Sequence, residues 1–379
     1  MDPYDILRYF EDEQDRILSA IRAIVDIESP SHDFDRSVEV VDWVEAEAHA
    51  TGAEVSVERI TVDDGDHIIL RAFPGDAAPT LLLGHTDTVH PIGAAERNPT
   101  RIDGDKMFGC GIFDMKANVV LMLEALRFFA AHGSRPSRPI TMMLSCDEEV
   151  GSFTGRPLIE HEAAGAAECL VFEPSAGGSV KTGRKGTGMF KLRAIGRPAH
   201  AGLEPEKGVN AILELSQQVE RIHALANADL GTTVNVTTFR GGTTTNVIPE
   251  LAECEVDVRF GTMAEAERVD REFRALAPID ERVKLEILGG LNRMPLERTA
   301  DVIAFYEKAR GLAASFDYEL GETQVGGASD GNFVAALGVP ILDGLGIKGA
   351  GAHMLNEHII VSDVTKRATL VTMLLSRSI

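Results

Sequence analysis

Three short apolar runs in this chain each lead to residue types that bind metal ions. Leu81-Leu82-Leu83-Gly84 runs into His85-Thr86-Asp87, Ile140-Thr141-Met142-Met143-Leu144 leads to Asp147-Glu148-Glu149, and Leu170-Val171-Phe172 leads to Glu173. Runs of this length read as strands buried on both faces. In open α/β sheets ligands bind in the crevice outside the carboxyl ends of the strands. Three such ends predict one crevice that gathers a histidine and several carboxylates, which is a candidate metal site.

The surrounding sequence supplies an α/β frame. Residues 4–25 carry Ile6, Leu7, Phe10, Ile17, Leu18, Ile21 and Ile24 at near-helical spacing. Helical material follows at 43–50 and strand material at 53–59 and 67–72. A helix is expected over 115–131, with Gly133 as its C-cap and Pro136 beyond. This alternation predicts a mixed, largely parallel sheet flanked by helices on both faces.

From Lys181-Thr182-Gly183-Arg184-Lys185-Gly186 onward the pattern changes. A strand at 189–195, a helix at 209–225, strands at 234–239 and 252–260, a helix at 264–276 and a strand at 283–288 follow in turn. That βαββαβ order is the ferredoxin-like α+β arrangement. Turn-forming residues from Gly289-Gly290 to Pro295 close it, and α/β character resumes with a helix at 300–315, a strand at 340–342 and a helix at 362–375. At 379 residues the chain exceeds the size that one core sustains. Residues 1–183 and 294–379 are therefore expected to form a catalytic metal-binding domain, and 184–293 an inserted domain.

Composition removes whole classes of function. A formal charge of -22 opposes binding to phosphate backbones, so no nucleic acid is expected as a partner. No apolar stretch approaches the roughly 20 residues of a membrane helix, so no membrane association is expected. The start, Met1-Asp2-Pro3-Tyr4-Asp5, lacks a basic segment followed by an apolar one, and a cytoplasmic location is expected. Cys110, Cys146, Cys169 and Cys254 show no C-x-x-C spacing and read as small core residues, with Cys110 set apart by its glycine-rich loop.

Singly, the polar motifs are ambiguous. In His85-Thr86-Asp87 the carboxylate two residues on suits a partner that fixes an imidazole tautomer, but a hydrogen-bonded structural histidine looks the same. Asp114, after Gly109-Cys110-Gly111, reads equally as a plain helix N-cap. Asp147-Glu148-Glu149 needs a cation or solvent to relieve its mutual repulsion.

Together these segments resemble the M20 metallopeptidase family. The resemblance runs through His85-Thr86-Asp87-Thr88-Val89, 109–116, Asp147 to Ser152, Glu173-Pro174, Arg184-Lys185-Gly186 and His200-Ala201-Gly202. It continues through Asn246-Val247-Ile248-Pro249, Asp257-Val258-Arg259, Gly326 to Asn332, and Gly351-Ala352-His353 with Glu357. It implies a zinc-dependent amidohydrolase with two zinc ions bridged by Asp114, and cobalt or manganese would also suit such ligands. His85 and Glu173 would complete one ion's protein ligands, Glu149 and His353 the other's. Asp87 would orient His85, and Glu148 would be the general base.

The resemblance further implies that the inserted domain is a lid and a homodimerisation surface, with His200 assisting the tetrahedral oxyanion. Asn246, Arg259 and Arg293 resemble positions that grip a substrate carboxylate, a task that suits the planar arginine fork. Arg184 and Lys185 read as a solvated hinge. His358 competes with His353, which is preferred for its glycine-rich approach and for Glu357 four residues later.

The implied substrate is a small peptide or N-acyl amino acid, cleaved at an amide next to a free carboxylate. Ser329-Asp330-Gly331-Asn332 and Asp343-Gly344-Leu345-Gly346 look most like the glutamate carboxypeptidase branch, of the carboxypeptidase G2 type. An N-acyl amino acid deacylase shares the same centre. Two rival readings remain. Gly327-Ala328-Ser329-Asp330-Gly331 satisfies the G-x-S-x-G serine-hydrolase elbow, with Asp343 and His353 following, although 322–326 reads as a poor strand and the acids go unused. A non-catalytic binding protein would keep the ligands but have no need of Glu148.

Overall fold

The computed structural model describes residues 2–376; Met1 and 377–379, which the expected catalytic domain includes, lie outside them. Among the described residues the central sheet has six strands. Their order is Val55–Val62, Gly65–Ala72, Ile140–Ser145, Thr80–His85, Glu168–Val171 and Ile341–Leu342. The first two pairings are antiparallel and the other three parallel, so the sheet is mixed and largely parallel. Thr80–His85 and Ile140–Ser145 are buried at every position, which is why neither shows a two-residue alternation. His85 lies opposite Ser145 and Leu83 opposite Val171. Parallel register thus delivers the three carboxyl ends to one edge of the sheet.

Helices flank the sheet. Ala117–Ala131 is buried along most of its length and packs on Gln14–Val25 and Val361–Ser376. Its fully buried acid, Glu124, is held by the Arg16 fork at 2.7 and 2.6 Å, which balances a charge the core could not otherwise hold.

Some elements differ from expectation. Residues 4–25 form two helices, Pro3–Asp12 and Gln14–Val25, because Glu13 leaves helical geometry at φ -94 and ψ 2. The next helix begins at Phe34 rather than 43, where the Asp33 side chain caps the Arg36 amide at 3.2 Å. Glu322–Val325, a poor strand by composition, is a strand paired with Val180–Arg184. A small sheet of strands two or three residues long joins Gly349–Ala350, His358–Ile360, Lys106–Phe108 and Arg101–Asp103. His358 pairs antiparallel with Phe108, so segments 109–116 and 351–357 leave the same end of that sheet.

The chain divides into two compact units, with boundaries at Gly183/Arg184, Glu297/Arg298, Gln324/Val325 and Ala328/Ser329. The second unit therefore runs four residues past 293 and takes in 325–328. Its sheet has the order Thr233–Gly241, Leu251–Phe260, Gly186–Ile195, Lys284–Arg293, antiparallel throughout. Helices Ala211–His223 and Met263–Arg274 supply its core partners, with Leu215, Ile222, Val269 and Phe273 against Leu192, Cys254, Val256 and Val258. This is the βαββαβ order read from the sequence. Among the described residues no helix is long and apolar enough to cross a membrane.

Leu82 is fully buried in the central sheet. Leu82→Ala should cost about 2–5 kcal/mol, seen as an earlier urea transition of the unit that carries it. A loss below about 1 kcal/mol would contradict a close-packed position there.

Candidate metal centre

The cluster begins with His85, which is almost wholly buried. Its Nδ1 donates to the Asp87 carbonyl at 2.9 Å, so Nε2 is left facing the crevice. From there it meets Asp114 Oδ1 at 3.3 Å and Glu173 Oε1 at 3.6 Å. Asp114 turns its other oxygen, Oδ2, to His353 Nε2 at 3.5 Å, and His353 Nε2 lies 3.2 Å from Glu149 Oε2. Asp114 thus stands between two histidines, one oxygen toward each. Ligand atoms of His85, Asp114 and Glu149 all lie within 4.8 Å of one another, and so do those of His85, Glu148 and Glu173.

These residues fit a divalent cation. Glu149 Oε1 is buried and, among the described residues, has no hydrogen-bond partner. Imidazole nitrogens with carboxylate oxygens form a donor set suited to zinc, and manganese or cobalt would accept it too. Asp114 and Glu149 pull the half-exposed His353 up to about 10. Burial alone would lower His85, but Asp114 and Asp87 override it and hold the ring well above its ordinary value. Asp114 is driven the other way: burial opposes ionisation, yet His353 and His85 keep it well below the usual carboxylate range. The field at this spot favours positive charge.

Backbone geometry aims the ligand types. Residues 112–116 form a wide turn broken at Asp114 (φ -119, ψ 91) and Met115 (φ -135, ψ 29), which leave helical geometry ahead of the helix. Asp114 is therefore not the N-cap of that helix. His353 adopts φ +64, in the left-handed region, two residues after Gly351 at φ +84. His358 points elsewhere: its Nδ1 donates to the Asn356 carbonyl at 2.9 Å and its ring lies against Phe108.

Several carboxylates serve as fasteners. Asp87 accepts the Glu148 and Glu149 amides at 3.2 Å each and the Ser31 hydroxyl at 2.7 Å, tying the first strand end to the second. Asp147 accepts the Thr154 amide and hydroxyl at 2.7 and 2.8 Å and the Gly155 amide at 3.3 Å. A Cβ on Gly155 would sit 2.7 Å from Asp147 Oδ1 and 3.0 Å from Ser145 Cβ, so a larger residue there would displace the Asp147 carboxylate. Asp330 accepts the Ser145 hydroxyl at 2.9 Å and that of Ser152, clamping both ends of the segment that carries Glu148 and Glu149. His67, held neutral by burial, accepts the Cys146 amide at 3.2 Å and donates to Thr154. Sequence reading missed the work of His67 and Asp330; the position of Asp330 inside the Gly326 to Asn332 motif was the available signal. All four cysteines are free and buried, and burial pushes the Cys110 thiol up, which fits a packing role.

His200, Asn246, Arg259 and Arg293 belong to the second unit. His200 pairs with Val247, and Ala201 donates to the Asn246 carbonyl at 2.9 Å, so His200 and Asn246 share one ladder. His200 Nδ1 accepts the Gly202 and Leu203 amides at 3.1 Å each, leaving Nε2 to carry the proton. Arg259 and Arg293 both lie opposite Thr187, from strands on either side of it. Arg259 Nη2 is 2.8 Å from Asp257 Oδ2. The solvated hinge expected at Arg184 and Lys185 is not what forms. Arg184 is buried and donates to the Gly327 and Ala328 carbonyls at 3.3 and 3.2 Å, and Lys185 Nζ donates to the Gly231 carbonyl.

The serine elbow has its strand after all, at Glu322–Val325, with helix Gly331–Ala336 behind it. Its chemistry is missing instead. Ser329 is fully buried and donates to Asp343 Oδ2 at 3.0 Å, while the proposed third member, His353, faces Asp114 and Glu149.

The sequence profile described as Peptidase family M20/M25/M40 matches residues 81–377. Carboxypeptidase G2 of Pseudomonas sp. (strain RS-16) is 29% identical over 94% of this chain and 88% of its own length. Succinyl-diaminopimelate desuccinylase of Paracidovorax citrulli is 29% identical over 78% of this chain and 80% of its own. Among solved structures, an aminopeptidase from Bacillus cereus superposes with a TM-score of 0.75 at 22% identity, covering 96% of this chain and 98% of its own. That likeness is one of fold.

Ser329→Ala should leave hydrolysis within a few-fold of the parent while costing about 1–3 kcal/mol through the donors and acceptors it orphans. Loss of turnover in a folded, metal-loaded variant would restore the serine elbow.

Proposed function

The chain belongs to peptidase family M20/M25/M40, and from that premise we propose that it is a two-metal carboxypeptidase acting on a C-terminal acidic residue. The family is metal-dependent, and this member is a metallohydrolase. The observation that supports a two-ion centre best is Asp114, whose oxygens face His85 at 3.3 Å and His353 at 3.5 Å. In this proposal Asp114 would be shared by both ions, His85 and Glu173 would hold one, and Glu149 and His353 the other. The ions are zinc, and cobalt or manganese would serve.

Cations bound by these residues would supply Lewis acidity and lower the pKa of a bound water toward neutrality. The remaining work falls to side chains. Glu148 takes the attacking water's proton and later delivers it to the leaving nitrogen. The placement of Glu148 within 4.8 Å of His85 and Glu173 supports that task. Asp87 fixes the ring of His85 and, through the amides it accepts, the carboxylates of Glu148 and Glu149. His200, protonated at Nε2, steadies the developing oxyanion. Arg259 and Arg293, with Asn246, hold the substrate carboxylate in a fork suited to bidentate pairing.

Similarity to carboxypeptidase G2 over nearly the whole chain supports the carboxypeptidase reading, and similarity to the desuccinylase supports an N-acyl amino acid deacylase as the alternative. A homodimer formed through the second unit, acting also as a lid, and a cytoplasmic location belong to the same proposal. A monomeric mass by light scattering at working concentration would remove the dimer.

Two experiments test the core of it. Exhaustive chelation should abolish hydrolysis and zinc should restore it, while Glu148→Gln should lower kcat by at least about 100-fold with metal content unchanged. Near-normal turnover of Glu148→Gln would take the base away from Glu148 and reopen a binding-only role for the acids. In a hydrolysis screen of dipeptides and N-acyl amino acids, acidic C-terminal residues should give the highest kcat/KM. A preference for neutral C-terminal residues would defeat the glutamate assignment.

A further inference from the structure

We infer that Glu357 is the positioning residue that aims Asp114 at the metal centre. The inference rests on Asp114 being the shared ligand. Glu357 is fully buried, yet its carboxylate is where four donors converge. Oε1 accepts the Phe113 amide at 2.8 Å and the Asp114 amide at 2.9 Å; Oε2 accepts the Gly111 amide at 2.8 Å and His90 Nε2 at 2.7 Å. A carboxylate is the acceptor-only side chain with enough lone pairs for such a set.

The need for it follows from the turn that carries Asp114. Between Gly111 and the start of the helix at Ala117 the backbone leaves helical geometry, with Asp114 and Met115 both extended in φ. The amides of Gly111, Phe113 and Asp114 turn to a side-chain carboxylate, as a buried amide must find an acceptor. Glu357 provides it from the neighbouring segment. The two segments are also stitched by Gly109, whose amide donates to the Glu357 carbonyl at 3.3 Å, while within its own segment Glu357 donates its amide to the Met354 carbonyl at 3.1 Å.

His353 lies on that same segment, four residues before Glu357. One side chain thus sets both the direction of Asp114 and the spacing between Asp114 and His353. With its oxygens occupied by donors, Glu357 acts through the ligands and does not touch the ions. Groups that orient metal ligands in this way typically change metal affinity by about 10- to 100-fold when altered.

The test uses metal-free full-length protein titrated with Zn2+ by calorimetry, with Co2+ visible absorption as a second readout. Glu357→Gln keeps the length but offers one acceptor oxygen and turns an NH2 toward amides that also donate. A folded Glu357→Gln protein should bind the ions that share Asp114 about ten-fold or more weakly and give an altered Co2+ spectrum. A role limited to stability would lower the melting temperature and leave affinity and spectrum at parent values, and that result overturns the inference. Should Glu357→Gln fail to fold, His90→Phe removes one donor and leaves the carboxylate. Weaker Zn2+ binding in His90→Phe supports the network, and parent-like binding and spectrum overturn it. Asp114→Asn separates the two layers. If Asp114→Asn binds Zn2+ as the parent does, the ligand assignment itself fails; if it binds weakly while Glu357→Gln binds normally, the positioning role alone fails.

Discussion

Negative charge gathered at one sheet edge is the constraint on which this molecule is built. Asp87, Asp114, Asp147, Glu148, Glu149, Glu173, Asp330 and Glu357 come together there in a chain whose formal charge is already -22. Like charges at such range disfavour one another's ionisation unless donors or cations relieve them. The structure relieves them in two ways. Asp87, Asp147, Asp330 and Glu357 accept hydrogen bonds from backbone amides and hydroxyls, which tie their segments together. Asp114 and Glu149 face histidines instead, and among the described residues a Glu149 oxygen has no hydrogen-bond partner. The first set makes the second affordable, since it fixes segments that would otherwise spread to escape repulsion.

That division explains what the sequence disclosed. The three strand ends were legible because parallel strands buried on both faces are continuous apolar runs, and Leu81 to Leu83 or Met142 to Leu144 can hardly be anything else. The βαββαβ order of the second unit was legible for the opposite reason: Ala252, Cys254, Val256, Val258 and Phe260 alternate cleanly with polar neighbours. The small sheet that positions segments 109–116 and 351–357 was not. Its strands span two or three residues, too few for any period to register, and their pairing joins positions some 250 residues apart, such as Phe108 and His358. Fastener roles were hidden likewise. Nothing in the spacing of Asp330 or Glu357 reveals which amides will reach them, and Asp114 after a glycine loop imitates an N-cap until the backbone is seen to be non-helical.

The separate jobs proposed for Glu148 and Glu149 came from resemblance; what the structure adds is that the two side chains reach different groups. Both amides are pinned by Asp87, one oxygen each, so the two side chains leave the turn in fixed and different directions. Glu149 reaches His353, while Glu148 reaches the group of His85 and Glu173. Metal sites tolerate errors of about half an ångström in ligand placement. Ligands on loops meet that tolerance only when the loops are clamped, and here Asp330 holds Ser145 and Ser152 at the two ends of the segment.

The same accounting bears on substrate choice. In the proposed function the charges of the metal-facing group would serve the ions and the transferred proton, which would leave that group little with which to discriminate among acyl groups. In that proposal discrimination would come from residues outside it; within the second unit Arg259 and Arg293 flank Thr187. Arg259 is not a lone cation there, because Asp257 already occupies it at 2.8 Å. A neutralised arginine exerts little long-range pull on an acidic protein, and it rewards a ligand only at contact, where a second planar carboxylate can share the fork. Such an arrangement selects by geometry rather than by charge alone. In the proposed function the residues that choose and the residues that cut would be held by different sheets, so that substrate choice could diverge without altering a metal ligand.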